Sequence, residues 1–151
     1  DCGFVTNTTP QGANSPACNP LLLAVASDCS FVARGFAGEI EHLTGLIKAG
    51  IRHKGFALID ILQPCVSFNR VNNFKWYSDR VYQIDDDSTY DVSNRLSAFE
   101  KAREWEDKIP IGLIYRSHRP TLEDQIPALA NQPDILPSPD AENLLHRHQA
   151  H

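Results

Sequence analysis

One cysteine has a setting that suits chemistry. Residues 56–65 read Phe-Ala-Leu-Ile-Asp-Ile-Leu-Gln-Pro-Cys. Apart from Asp60, positions 56–62 are apolar, the composition of a central parallel strand covered on both faces. Pro64 stops the run because it has no N–H to give to a ladder. Cys65 is thereby delivered just beyond the carboxyl end of the strand, where open parallel sheets hold ligands. On this stretch alone Cys65 is either one more small buried hydrophobe or a site residue.

The other reactive side chains form no obvious constellation. Cys2, Cys18, Cys29 and Cys65 include no C-x-x-C pair and resemble neither a zinc site nor a dense disulfide scaffold. They read as thiols of a reducing cytosol. His53 closes a helical pattern, where a cation complements the dipole. A Cys65–His53 nucleophilic pair would need hydrogen-bond reach, but about nine residues of extended chain at ~3.3 Å each separate them. Asp85, Asp86 and Asp87 are adjacent, so their side chains do not face one cation and a solvated turn is expected. His146, His148 and His151 could trap a metal only adventitiously, since a Pro-rich polar stretch gives them no scaffold.

Composition narrows the class. The chain has 151 residues, enough for one sizeable core, and a formal net charge of −5. That balance argues against nucleic acid as a partner, because phosphate binding needs an excess of Lys and Arg. No apolar run approaches membrane-spanning length, and a cytoplasmic location is expected. There is no methionine and the first residue is Asp1, so the chain is expected to be a piece of a longer product.

The positioning elements alternate. Asn19 and Pro20 suit the N-cap and first position of a short helix, apolar nearly all round through Ala26. Residues 31–34 read as a short strand ending at Gly35. Residues 38–54 form the best helix, with Ile40, Leu43, Ile47 and Ile51 on one stripe, Leu46 and Ala49 or Gly50 beside it, and Gly55 as the C-cap glycine. With strand 56–62 this makes a parallel β-α-β unit. Beyond Cys65, residues 74–82 suggest a short helix whose Trp76, Tyr77, Val81 and Tyr82 serve packing. Residues 93–105 read as an amphipathic helix with Leu96, Phe99, Ala102 and Trp105 inward. Residues 109–115 read as a last strand with Pro110 at its start. One or two helical turns are expected over 122–129, weakened by Pro127, and a flexible tail after that.

Taken in order, these stretches resemble the carboxyl-terminal part of the β subunit of 2-oxoacid:ferredoxin (acceptor) oxidoreductases. The resemblance runs over roughly residues 6 to 125. It is carried by Thr8-Thr9-Pro10-Gln11-Gly12, Asn19-Pro20-Leu21, Phe31-Val32-Ala33-Arg34-Gly35-Phe36 and His53-Lys54-Gly55-Phe56. It continues through Ile59-Asp60-Ile61-Leu62-Gln63-Pro64-Cys65-Val66, Phe68-Asn69, Trp76-Tyr77, Arg80-Val81-Tyr82, Glu104-Trp105, Lys108-Ile109-Pro110-Ile111-Gly112 and Arg119-Pro120-Thr121.

The resemblance implies an α/β fold, the later half of a parallel-sheet thiamine-diphosphate-binding domain with a helical and strand extension. Residues 1–70 would belong to that half, 71–127 to the extension and 128–151 to the tail. It implies thiamine diphosphate, magnesium and a [4Fe–4S] cluster in the intact enzyme, with Cys65 as one cluster ligand. It also implies partners: an α subunit, with or without γ and δ subunits, ferredoxin and coenzyme A. The family's Gly-Asp-Gly motif and its C-x-x-C are absent from these residues, so the isolated chain is expected to hold no cofactor and to be inactive. Arg34 and Gly35 match the family's Ala-Arg-Gly, as a strand-end turn or as site-lining residues. The rival reading is a non-catalytic docking domain that meets a partner subunit through its first helix and Trp76–Tyr77.

Overall fold

A computed structural model describes residues 3–65, 67, 69 and 71–126. The chain divides into two units, Asp1–Arg119 and Pro120–His151. In the second, the described structure is one short helix, α5 (Leu122–Gln125), closed by a capping box between Thr121 and Asp124. The expected tail and its histidines, and Pro127 and Leu129, lie outside the described residues, as do Cys2, Val66 and Phe68.

The first unit is built on a four-stranded sheet. Its strands are β1 (Phe31–Phe36), β2 (Ala57–Leu62), β3 (Val81–Gln83) and β4 (Ile109–Arg116), in the order β2-β1-β4-β3. β1 and β2 are parallel, as are β3 and β4, while β1 and β4 run antiparallel. The α/β class and the parallel β-α-β pair are as expected. Residues on either side of position 70 share this one sheet, because β4 pairs directly with β1.

Among the described residues, the strand expected at the centre is at the edge of the sheet. Every residue of β1 is buried, whereas β2 is half-buried and its Ile61 is exposed. An apolar run reports that a strand is covered, not which neighbour covers it. β1 gains the central place because it pairs on both sides. It also runs two residues further than expected, so Arg34 and Gly35 lie inside a strand and not at a turn.

Helix α1 (Pro20–Ala26) begins as its sequence dictates: the Asn19 side chain accepts from the amides of Leu21 and Leu22, and Pro20 opens the helix. Leu21, Ala24 and Val25 are buried, but Leu23 is exposed. Asn19 also donates from Nδ2 to the Ala102 carbonyl at 2.8 Å, tying α1 to the end of α4 (Arg95–Arg103). On α4 the inward stripe is Ala98 and Ala102 with Phe99, and Leu96 points outward. The small alanines let α1 and α4 approach closely, a packing choice that hydrophobicity alone does not reveal. Trp105 lies beyond α4, at 40 % exposure.

Helix α2 (Ile40–Arg52) buries Leu46 toward β1, while Ile40, Ile47 and Ile51 are exposed. The inward face is therefore rotated from the expected stripe onto its expected flank of Leu46 and Gly50. Gly50 explains the rotation locally: a Cβ there would come within 3.0 Å of Ile59 Cδ1, so the helix meets the sheet at its small residues. The helix ends at His53, and Gly55 follows two residues later with a positive φ of 125°. Gly55 is thus needed for the turn into β2, not as the cap itself. Residues 74–82 divide into helix α3 (Phe74–Ser78) and strand β3, so Val81 and Tyr82 leave the helical pattern. Trp76, Tyr77 and Val81 pack against Phe36, Leu62, Ile109 and Ile111, the packing role expected of the aromatics.

Candidate functional site at the carboxyl ends of the parallel strands

Cys65 stands where the strand delivers it. Leu62 is buried at the end of β2, Pro64 is buried after it, and the Cys65 thiol is free and exposed. The neighbouring carboxyl end of β1 is tied to it by the Ala37 amide, which donates to the Leu62 carbonyl at 3.0 Å. An exposed thiol past a strand end can serve as a metal or cluster ligand once ionised, since the thiolate is the ligand. Among the described residues no three His, Cys, Asp or Glu side chains gather around one metal position. A metal or cluster held by Cys65 would need its other ligands from outside the described residues.

The remaining candidates are not brought to it. Cys29 is buried at the amino end of β1, where its thiol contacts the carbonyls of Phe31 and Phe56 at 3.2 and 3.3 Å. His53 is also at that end. Its Nε2 lies 2.8 Å from Ser30 Oγ, and burial together with nearby Arg116 and His118 lowers its pKa. His53 is the C-cap of α2, but its ring is engaged by Ser30 and is not free at the surface as expected from sequence. The Cys65–His53 pair is not formed, because the two residues occupy opposite ends of β2. Asp85 pairs with His42 Nε2 at 3.4 Å. Asp85 and Asp86 belong to a short 3₁₀ turn (Ile84–Asp86), and Asp85, Asp86 and Asp87 are all exposed.

Sequence reasoning gave Asp60 no role beyond interrupting an apolar run. The parallel register puts Arg34 opposite Asp60, on the same face of the sheet. Arg34 Nε donates to Asp60 Oδ2 at 3.1 Å, with the Arg34 side chain 2 % exposed and that of Asp60 24 %. Burial pulls the guanidinium below its ordinary pKa, and the Asp60 carboxylate opposes that pull. Trp105 covers the pair, with the Arg34 guanidinium 5.3 Å from its ring centroid. Together with Cys18, Asn19 and Leu62 these residues line a cleft of about 340 Å³. The signal was one charged residue in each of two apolar strands, legible only once the register is known.

A second charged group went unrecognised. Tyr82 donates to Glu104 Oε2 at 2.5 Å, and Lys101 Nζ donates to Tyr82 Oη and to Glu104 Oε1, both at 2.9 Å. Burial and the bond to Glu104 raise the Tyr82 pKa. Every polar atom of this trio has a partner within it, which marks it as a brace joining β3 to the end of α4 rather than a reactive centre.

Comparison with known proteins agrees with this geometry. The family model for the C-terminal region of the pyruvate ferredoxin oxidoreductase beta subunit matches residues 65–131, beginning at the exposed cysteine. The chain is 39 % identical to a 2-oxoacid:ferredoxin oxidoreductase subunit beta from Sulfolobus sp, over 96 % of this chain and 50 % of that protein. It is 35 % identical to the corresponding protein of Saccharolobus solfataricus, over 95 % of this chain and 50 % of the relative. The chain thus spans about half the length of the curated relatives it matches. The fold is similar to a chain of the 2-oxoglutarate:ferredoxin oxidoreductase from Magnetococcus marinus, solved with 2-oxoglutarate, coenzyme A and succinyl-CoA bound. That match has a TM-score of 0.76 at 29 % identity and covers 95 % of this chain and 50 % of the other. A shared strand order could arise without common descent, but identity of this level over nearly the whole chain could not, and the chain belongs to the β-subunit family of the 2-oxoacid:ferredoxin oxidoreductases.

Proposed function

We propose that this chain forms the carboxyl-terminal region of the β subunit of a cytoplasmic enzyme that oxidatively decarboxylates a 2-oxoacid to an acyl-CoA. The observation that carries the reading is Cys65, a free thiol exposed immediately past the carboxyl end of β2 and introduced by a buried proline. When bound, thiamine diphosphate with magnesium would supply the carbanion sink, and a [4Fe–4S] cluster the one-electron route to ferredoxin. Cys65 would be one thiolate ligand of that cluster. The residues of this chain would do the rest by position. Pro64 and Leu62 fix the backbone that presents the thiol. The Arg34–Asp60 pair links the two strands behind it, and Trp105 shields that pair from water.

The division of labour predicts that the 151 residues do not turn over alone, because they carry no Gly-Asp-Gly motif to anchor magnesium and diphosphate. The test is 2-oxoacid- and coenzyme-A-dependent dye reduction, measured on the isolated chain supplied with thiamine diphosphate, magnesium, iron and sulfide, and on the assembled oxidoreductase. The assembly should reduce the dye and the chain should not. Turnover by the chain alone would overturn the division, and a silent assembly would overturn the enzymatic reading.

A second reading, a docking domain without chemistry, draws on a different observation. Ile40, Ile51, Phe56 and Ile61 are exposed on α2 and around β2, and the outer edge of β2 pairs with no strand among the described residues. Apolar exposure of this kind marks a contact surface. It adds α2 and β2 to the surface expected from sequence, where Leu23 of α1 and Phe74 beside Trp76–Tyr77 are also exposed. In the enzymatic reading the same surface would meet the other parts of the oxidoreductase, including its α subunit. Retained assembly and activity after Ile40→Ser and Ile51→Ser together would remove that role.

A further inference from the structure

The fold uses only part of the Arg34 guanidinium. Nε is bonded to Asp60, but Nη1 is buried and has no hydrogen-bond partner among the described residues. A buried N–H left without an acceptor has lost water and gained nothing, and the cost is greater on a charged group. Such an atom in a native structure calls for a partner that the described residues do not provide. A cleft of about 340 Å³, lined by Arg34, Asp60, Leu62 and Trp105, runs beside this side chain, with Nη1 itself covered.

Charge selects the partner. Arg34 and Asp60 already cancel, so an anion would leave a net negative charge beside the Asp60 carboxylate. A cation would offer Nη1 nothing to donate to. A neutral acceptor satisfies Nη1 and leaves the pair intact. The Trp105 ring, flat and 40 % exposed above the guanidinium, suits a planar group.

We propose that this cleft binds a neutral carboxamide, its carbonyl oxygen accepting from Arg34 Nη1 and its plane lying against Trp105. The amide can come from a peptide segment or from an amide-containing small molecule. Trp105 is the side chain that moves to admit it, since it covers the guanidinium and is itself partly free. The site is independent of the role assigned to Cys65.

Cys18 lines the same cleft and is exposed, which gives the test its reporter. The purified chain is treated with the small neutral reagent methyl methanethiosulfonate, and modification is followed at each cysteine by peptide mass spectrometry. N-methylacetamide and an acetyl- and amide-capped triglycine should each slow modification of Cys18 saturably and leave Cys65 unchanged. Sodium acetate and inorganic phosphate should not. Tighter protection by the capped peptide assigns the site to a peptide segment, and equal protection per amide assigns it to a small molecule. Arg34→Lys should weaken protection about tenfold, the factor one charge-assisted hydrogen bond supplies. Trp105→Leu, at a half-open position where the fold should persist, should weaken it as well. Absence of saturable protection, equal protection by acetate or phosphate, or unaltered protection in Trp105→Leu would overturn the proposal.

Discussion

The two ends of the parallel pair β1–β2 are built on opposite principles. At the amino end the polar groups are used up. Ser30 Oγ meets His53 Nε2 at 2.8 Å and donates to the Phe56 carbonyl at 3.3 Å, and the Cys29 thiol is enclosed between two carbonyls. At the carboxyl end Cys65 is exposed, Ile61 is exposed, and one nitrogen of Arg34 has no partner among the described residues. Saturated bonds hold a fold, and unsaturated ones leave something to bind. The same pair of strands therefore has one end committed to structure and the other available for chemistry.

The largest effect should come from separating the charges behind the open end. Asp60→Ala leaves the Arg34 guanidinium buried without its counter-ion, and removing one partner of a buried pair costs roughly 3–5 kcal/mol. Chemical denaturation should read this as a lower midpoint at constant slope. A loss below about 1 kcal/mol, the range of an exposed pair, would show that the pair is solvated and that the open end is less dry than described.

Gly55→Ala probes the closed end and should cost less, about 1–3 kcal/mol. The residue has a φ of +125°, and an added Cβ would fall 2.7 Å from Ser30 Oγ. The variant should melt lower and lose the Ser30–His53 contact together. Unchanged stability would mean that the turn into β2 adapts freely, and the contrast between the ends would weaken.

The smallest effect is the pH dependence of His53. Its pKa is lowered in the folded protein, first by burial and then by Arg116 and His118. The unfolded chain therefore binds more protons below the ordinary histidine pKa of about 6.5, so stability rises with pH there. The contribution should be complete above that value and decline as pH falls through the lowered folded pKa. Melting temperatures of His53→Gln between pH 5 and 8 should show a shallower acid-side decline than the parent. An identical decline would mean that other groups carry it.

Much of this was legible from sequence because local rules dominated. Asn19 and Pro20 start α1 as capping chemistry requires, and alternation of elements gave the β-α-β unit. Cys65 could be placed at a strand end from Pro64 alone. What failed depends on neighbours distant in sequence. β2 looked central but lies at an edge among the described residues, because its apolar run records coverage and not pairing. Leu96 looked inward, but the close approach of α1 selected Ala98 and Ala102 instead. The Arg34–Asp60 pair was invisible until the parallel register set two isolated charges opposite each other. His53 looked like a free cation because its partner, Ser30, lies 23 positions away.

The account rests most directly on what Cys65 holds. The decisive measurement is iron and acid-labile sulfide content, with electron paramagnetic resonance of the reduced protein, on the assembled oxidoreductase carrying Cys65→Ala. The account predicts a loss of iron and sulfide and disappearance of one [4Fe–4S] signal, with the subunits still assembled. Unchanged iron, sulfide and spectrum would contradict it and leave Cys65 an exposed thiol at the end of a strand.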